Sequence, residues 1–123
     1  MLKGKTYLDK PVTDLQIKHL RIIISNPNED NEFLTVSVDT FKFDWQDSSC
    51  IINSGEHPFI KHKSFVNYRY AEVISFGKIF NALRLGLFIK KEDVSPELLL
   101  KIQNGARISR HFDEKLKSWF DLF

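Results

Sequence analysis

The chain has 123 residues, of which 42% are hydrophobic and 11 are phenylalanine, so it can form one packed domain over residues 1–123 and is not a disordered chain. A single cysteine, Cys50, excludes an internal disulfide and a multi-cysteine zinc site, and its apolar neighbours indicate a buried structural thiol. No apolar run approaches the roughly 20 residues that span a bilayer, and the first residues lack a signal-peptide core. We therefore expect a cytoplasmic protein with no membrane partner.

The net charge of +2 hides an uneven distribution along the chain. Residues 57–91 carry 7 basic and 1 acidic side chains, whereas residues 1–56 carry 6 basic and 9 acidic ones. A local positive field attracts phosphate polymers even when a whole protein is nearly neutral. The alternative is an ordinary solvated lysine surface.

The first half of the chain has the pattern of β structure. In the strand predicted over 33–40, alternation places Leu34, Val36 and Val38 on one face. Asparagines and a proline predict a turn over 26–31. The other predicted strands cover residues 6–8, 17–24, 49–53 and 65–74.

Helical patterns follow in the second half. Apolar spacing predicts a helix over 76–83 that stops at Gly86, and Ser95-Pro96 starts a second helix that ends at about Asn104-Gly105. A last apolar stripe predicts a helical face that belongs to the core or to a dimer: Phe112, Leu116, Trp119, Phe120 and Phe123. The order predicts a mainly β fold with C-terminal helices, which is a small α+β or barrel-like architecture.

The segment 55–63 (GEHPFIKHK) concentrates two histidines, two lysines and a proline in one connection. Imidazoles and cations packed this closely can bind a phosphate and move protons near neutral pH. The alternative is a turn in which His57 bonds to the backbone and proline and glycine set the path.

Several segments resemble the MazF/PemK-type toxin family. The similar stretches are residues 63–75 (KSFVNYRYAEVIS), 94–102 (VSPELLLKI), 22–25 (IIIS) and 37–40 (SVDT). The resemblance implies an SH3-like barrel that cleaves messenger RNA, paired with a cognate antitoxin and acting as a homodimer. Residues 12–20 lack the family's Glu-Gln and Arg-Pro motifs, and only Lys18 and His19 occupy basic positions there. Thr40 stands where the family has its catalytic Thr or Ser, and the insertion over 57–62 is not typical.

Metal-independent cleavage of RNA by its 2′-hydroxyl needs a base, an acid and cations around the phosphate. Histidine suits both proton roles because its unperturbed pKa is about 6.5. We expect His57 and His62 as acid and base, with Thr40 as the third catalytic candidate. The candidates for RNA binding are Lys61, Lys63, Arg69, Tyr68, His19 and Lys18, with Phe65 as a possible stacking partner.

These roles have alternatives. Arg69 could pair with Glu72 or another acid, His111 is interpreted as structural at the start of the last helix, and Asp39-Thr40 could be a simple strand end. A zinc site formed by the two loop histidines with Glu56 and Asp39 is a weaker idea because nothing supplies a third fixed ligand, so we expect no metal and no cofactor. The competing function is a non-catalytic barrel module that binds nucleic acid or protein.

Overall fold

The computed structural model describes residues 2–9 and 19–123, so the candidate Lys18 lies outside the described residues. Six strands are formed: β1, Thr6–Asp9; β2, Leu20–Ile23; β3, Glu32–Thr40; β4, Ile51–Ile52; β5, Ser64–Ser75; and β6, Phe88–Lys91. Two α-helices, α1 (Phe76–Arg84) and α2 (Pro96–Ile108), are followed by a 3₁₀ helix over Glu114–Leu122.

The strands form one antiparallel sheet in the order β4-β5-β3-β2-β1-β6. The sheet curls into a half-barrel in which β3 and β5 form the longest pairing, interrupted by an irregularity between Thr35 and Ser37. Such bulges increase the local bend and twist of a strand. The prediction of a mainly β, α+β barrel-type fold with two to three helices is confirmed.

The main core lies between one face of the sheet and α2. Leu34, Val36 and Val38 all point into it, as the alternation of β3 predicts, and Leu98 and Ile102 of α2 pack against them. The C-terminal aromatic stripe also packs on this core, with Phe112 and Trp119 buried and the remaining members half-buried. Burying apolar area is the main driving force of folding, so this face of the sheet stabilises the fold.

A second, smaller core forms where α1 covers part of the opposite face. Tyr7, Ile23, Phe33, Ile74 and Ile79 meet there. Burial raises the pKa of the Tyr7 phenol above its usual value. Helix α1 covers only one end of this face of the sheet. The uncovered part carries polar side chains.

Helix boundaries follow the predicted signals at their starts more closely than at their ends. Ser75 caps α1 and Ser95 caps α2, each accepting a hydrogen bond from a backbone N–H in the first turn. The helix predicted to end near Gly105 continues to Ile108. Gly105 serves close packing rather than termination, because a Cβ atom there would lie 2.8 Å from Cys50 Cβ and would overlap the Tyr68 hydroxyl.

Strand β6 has no counterpart among the predicted elements. Its four residues pair with β1, about 80 positions earlier in the chain, and Phe88 stacks on Tyr7 with ring centroids 4.2 Å apart. This pairing is non-local, so no periodicity within residues 86–91 announces it. In the described part of the chain, no helix is both long and apolar enough to cross a membrane.

Candidate functional site

The uncovered part of the second face carries a row of polar side chains from three neighbouring strands. The register places Arg21 of β2 opposite Ser37 of β3, and Ser37 opposite Asn67 of β5. Residues two positions along a strand share a face, which adds Asp39 and Arg69 to the same surface. The sheet therefore holds these side chains on a rigid frame.

His19 is oriented by a carboxylate at this surface. Its Nδ1 lies 2.8 Å from Asp39 Oδ1, and Asp39 Oδ2 accepts a hydrogen bond from Asn67 Nδ2, also at 2.8 Å. A carboxylate can only accept, so in the neutral ring Nδ1 carries the hydrogen that faces Asp39 and Nε2 keeps its lone pair. His19 is thus arranged as a proton acceptor.

His111 has the opposite arrangement. Arg69 Nη2 lies 2.6 Å from His111 Nδ1. A guanidinium can only donate, so Nδ1 accepts and Nε2 carries the hydrogen in the neutral ring. His111 therefore presents a hydrogen-bond donor, while His19 presents an acceptor.

A depression that we call the cationic hollow, with a volume of about 440 Å³, lies over this polar row. Its lining is His19, Arg21, Ser37, Arg69, Tyr70, Ala71 and Glu72. Glu72 bonds Arg21 Nη2 at 3.2 Å, whereas no described carboxylate lies within ion-pair distance of Arg69. Arg21 is also paired with Asp9, so Arg69 is the guanidinium in this lining that remains available to an anion.

Ser37 adds a polar group to the floor of the cationic hollow. Its side chain is 3% exposed, and its hydroxyl has no hydrogen-bond partner among the described residues. Buried hydroxyls are usually paired, because leaving one unpaired costs about 1–3 kcal/mol. The same enclosure keeps an anion in the hollow from reaching the Ser37 hydroxyl unless neighbouring side chains move.

A second depression, the aromatic hollow, adjoins the first and shares Arg69 and Tyr70 with it. It also has a volume of about 440 Å³. Its lining is Asp39, Trp45, Gln46, Asp47, Phe65, Asn67, Arg69, Tyr70 and His111. Arg69 therefore stands between the two hollows, with a histidine on either side.

The candidates from the histidine-rich loop are divided between the surface and the interior. Lys61, His62 and Thr40 line a third depression, the edge hollow, together with His19. Lys63 is exposed nearby, with its Nζ 4.8 Å from the centre of the Phe41 ring. His62 thus lies at the surface beside His19, in a different hollow from Arg69.

His57 is 1% exposed and both of its ring nitrogens are occupied. Nδ1 accepts from the Phe59 backbone N–H at 3.0 Å, and Nε2 lies 2.6 Å from the Glu92 carbonyl, to which it donates. These bonds tie the loop to the segment after β6. This geometry agrees with the alternative in which His57 bonds to the backbone and fixes the turn.

We expect His57→Ala to lower the free energy of unfolding by about 2–3 kcal/mol, because it leaves buried backbone groups unpaired and opens a cavity. Urea denaturation followed by circular dichroism measures this loss. Any cleavage activity should persist in the variant at temperatures where it is folded. A fully folded variant without activity would instead assign a catalytic role to His57.

Two predicted aromatic contacts for RNA lie in the interior. Tyr68 is fully buried, and its hydroxyl donates to the Ile102 carbonyl at 2.5 Å. Phe65 is 4% exposed and stacks edge-on with Phe41. The Tyr68 ring presents no face for stacking a base, and Phe65 contributes only a small exposed area to the aromatic hollow described above. Cys50 is also buried, and burial raises the pKa of its thiol to about 11, in keeping with a structural role.

The structure distinguishes between the alternative partners considered for Arg69 and Glu56. Glu72 pairs with Arg21 and not with Arg69. Glu56 accepts from the Asn53 N–H at 2.6 Å and pairs with Lys101, which separates it from a zinc set with Asp39. Among residues 2–9 and 19–123, no three His, Cys, Asp or Glu side chains group together as metal ligands do.

Sequence reasoning missed His111, Arg21, Ser37 and Trp45 as site residues. His111 lies in the turn before the 3₁₀ helix and meets Arg69 across 42 positions of sequence. No local motif marks such a contact. The exposed Trp45, by contrast, lies in a polar segment of the sequence. That setting is a signal in the sequence that could have identified it as a surface residue.

Comparison with known proteins finds no matching family model, no curated relative and no similar solved structure. The resemblance to MazF/PemK toxins therefore depends on the sequence motifs alone and stays a hypothesis.

Proposed function

We propose that this protein is an endoribonuclease that cleaves single-stranded RNA through the 2′-hydroxyl without a metal ion. The observation that carries the proposal is the pair of oppositely arranged histidines beside Arg69: His19 oriented by Asp39, and His111 bonded to Arg69. A base, a hydrogen-bond donor and a cation are the groups that this reaction needs.

In the proposed reaction the phosphate occupies the cationic hollow, held by Arg69 and Arg21. His19 Nε2 takes the proton of the 2′-hydroxyl, the 2′-oxygen bonds to phosphorus, and the bond to the 5′-oxygen breaks. The departing oxygen accepts a hydrogen bond from His111 Nε2–H and takes a proton from water. His19 then returns its proton to solvent, leaving a 2′,3′-cyclic phosphate and a 5′-hydroxyl.

Arginine suits the phosphate role because its planar fork bonds two phosphate oxygens at once. Arg69 makes one bond to a neutral imidazole and is exposed, so other donors remain for a ligand. Arg21 is held by Asp9 at 3.0 Å and by Glu72. These two carboxylates fix the position of the Arg21 guanidinium but offset its positive charge. We therefore assign the larger share of phosphate binding to Arg69.

The test is cleavage of a fluorescent single-stranded RNA by the purified protein in EDTA. We expect a 2′,3′-cyclic phosphate product and no cleavage of the matching DNA. His19→Ala should reduce the rate by about 10²–10⁴-fold, the usual contribution of positioned proton transfer, and His111→Ala should reduce it as well.

His62→Ala is the matched control, because His62 is an exposed histidine of the neighbouring edge hollow. We expect less than a tenfold change in this variant. A loss at His62 as large as that at His19 would move the reaction to the edge hollow, where the sequence first suggested it. Absence of cleavage in the wild-type protein, with RNA binding intact, would support the non-catalytic module.

The toxin role, a cognate antitoxin, a homodimer and a cytoplasmic location remain proposals that follow from the sequence. Co-expression with an adjacent small open reading frame would test the antitoxin directly, since rescue of a growth defect requires a neutralising partner.

A further inference from the structure

Trp45 stands out on the surface of the molecule. It is 77% exposed, and its ring stacks on that of Phe43 with centroids 5.5 Å apart and planes 7° from parallel. Trp45 also lines the aromatic hollow next to Arg69 and His111. Large aromatic rings exposed beside polar groups often mark a binding site.

The loop that carries Trp45 is held in place before any ligand arrives. Gln46 Oε1 accepts from the backbone N–H groups of Lys42 and Phe43, at 2.6 and 2.9 Å. Asp47 accepts from the Ser49 hydroxyl at 2.6 Å and from the Ser109 hydroxyl at 2.5 Å, which ties the loop to the end of α2. A loop ordered in advance loses less conformational entropy on binding.

The aromatic hollow is lined by carboxylate and amide oxygens as well as by the donor groups of Arg69 and His111. Asp39 and Asp47 contribute carboxylates whose oxygens already accept hydrogen bonds and keep further lone pairs for a ligand. Asn67 uses its amide nitrogen on Asp39, which leaves its amide oxygen as an acceptor. Burial alone would raise the pKa of Asp47, but hydrogen bonds from Ser109 and Ser49 outweigh it and hold the pKa below its usual value. These acceptors match ligands that carry N–H donors.

We propose that the aromatic hollow is a nucleobase subsite, in which Trp45 stacks a base and the acceptors select bases bearing an exocyclic amino group over uracil. This inference rests on the proposed function, because it places the base next to a phosphate in the cationic hollow. Cytosine carries an amino group at the position where uracil has its O4 carbonyl, adenine carries one at C6, and guanine carries one at C2.

Two features favour a nucleobase over a protein side chain as the occupant. The aromatic hollow shares Arg69 and Tyr70 with the cationic hollow, so base and phosphate positions are contiguous, as they are in a nucleotide. Stacking on aromatic rings beside a cationic groove is also the usual way in which proteins hold single strands.

The experiment measures binding separately from cleavage, with 2′-O-methyl hexamers of adenosine, cytidine and uridine that lack the attacking hydroxyl. We expect the adenosine and cytidine hexamers to quench the emission of Trp45, and to bind at least fivefold more tightly than the uridine hexamer. Trp119 is only 8% exposed, so quenching of the solvent-exposed emission reports Trp45.

Trp45→Ala should weaken binding of the adenosine hexamer by roughly 5–100-fold, the range expected for one stacked base. Phe80→Ala is the matched control, because Phe80 is 55% exposed on α1 and belongs to none of the three hollows. Fluorescence anisotropy of labelled hexamers gives both affinities, and we expect no change in the control.

Unchanged affinity in Trp45→Ala, or tighter binding of the uridine hexamer, would overturn the subsite. Cleavage in EDTA that persists in Trp45→Ala with the same base preference would also overturn it while leaving the proposed function intact. Trp45-dependent binding without cleavage of the matching RNA would support the subsite and reject the nuclease. A protein partner that requires Trp45, with no hexamer binding, would reject the nucleobase as occupant.

Discussion

Arg69→Gln is expected to reduce the rate of RNA cleavage by about 10²–10³-fold while the fold is retained. The guanidinium is the cation that lines both the cationic and the aromatic hollow, and removing one preorganised donor to a developing oxyanion typically has an effect of this size. The loss should fall mainly on kcat, because charge on the phosphate increases in the transition state. Single-turnover cleavage in EDTA measures it.

Arg84→Gln provides the matched control, since Arg84 is an exposed arginine in the last turn of α1 and lines none of the three hollows. Arg69→Lys keeps the charge but loses the planar fork, so it should recover only part of the activity. Equal rates for wild-type protein and Arg69→Gln would reject the assignment of the phosphate to the cationic hollow.

Much of the sheet could be predicted from local pattern. The alternation in β3 identified the residues that face the main core, apolar spacing identified the start of α1, and Ser95-Pro96 identified the start of α2. These signals act between neighbours in sequence, where side-chain direction and backbone hydrogen bonding are set by short-range geometry. Strand β6 could not be predicted because its pairing with β1 is its main determinant.

The site was predicted only in part, for a similar reason. Residue chemistry identified His19 and Arg69 as candidates, and both lie on the polar surface of the sheet. It could not separate them from His57 and Tyr68, whose residue types are equally suitable but which are buried. Burial and the contact between Arg69 and His111 are properties of the tertiary structure, so composition and spacing carry no record of them.

Gly105 is interpreted from the sequence as a helix end, but it lies inside α2 in close contact with β5. Its substitution should therefore change the stability of the fold. Gly105→Ala should lower the free energy of unfolding by about 1–3 kcal/mol, although alanine is the better helix former. The added Cβ would lie 2.8 Å from Cys50 Cβ and 3.1 Å from the Ser49 carbonyl oxygen, and would overlap the Tyr68 hydroxyl. Urea denaturation measures the change.

Gly77→Ala is the control for this substitution, because Gly77 is also helical and no atom lies within 4 Å of its added Cβ. That variant should be unchanged or more stable by up to about 1 kcal/mol. Adding Tyr68→Phe to Gly105→Ala removes the nearest clashing atom, so the double variant should lose less than the sum of the two single losses. Strict additivity would mean that α2 shifts away from β5 to accept the methyl group. In that event the close approach of helix and sheet is adjustable, and the glycine does not hold the distance between them.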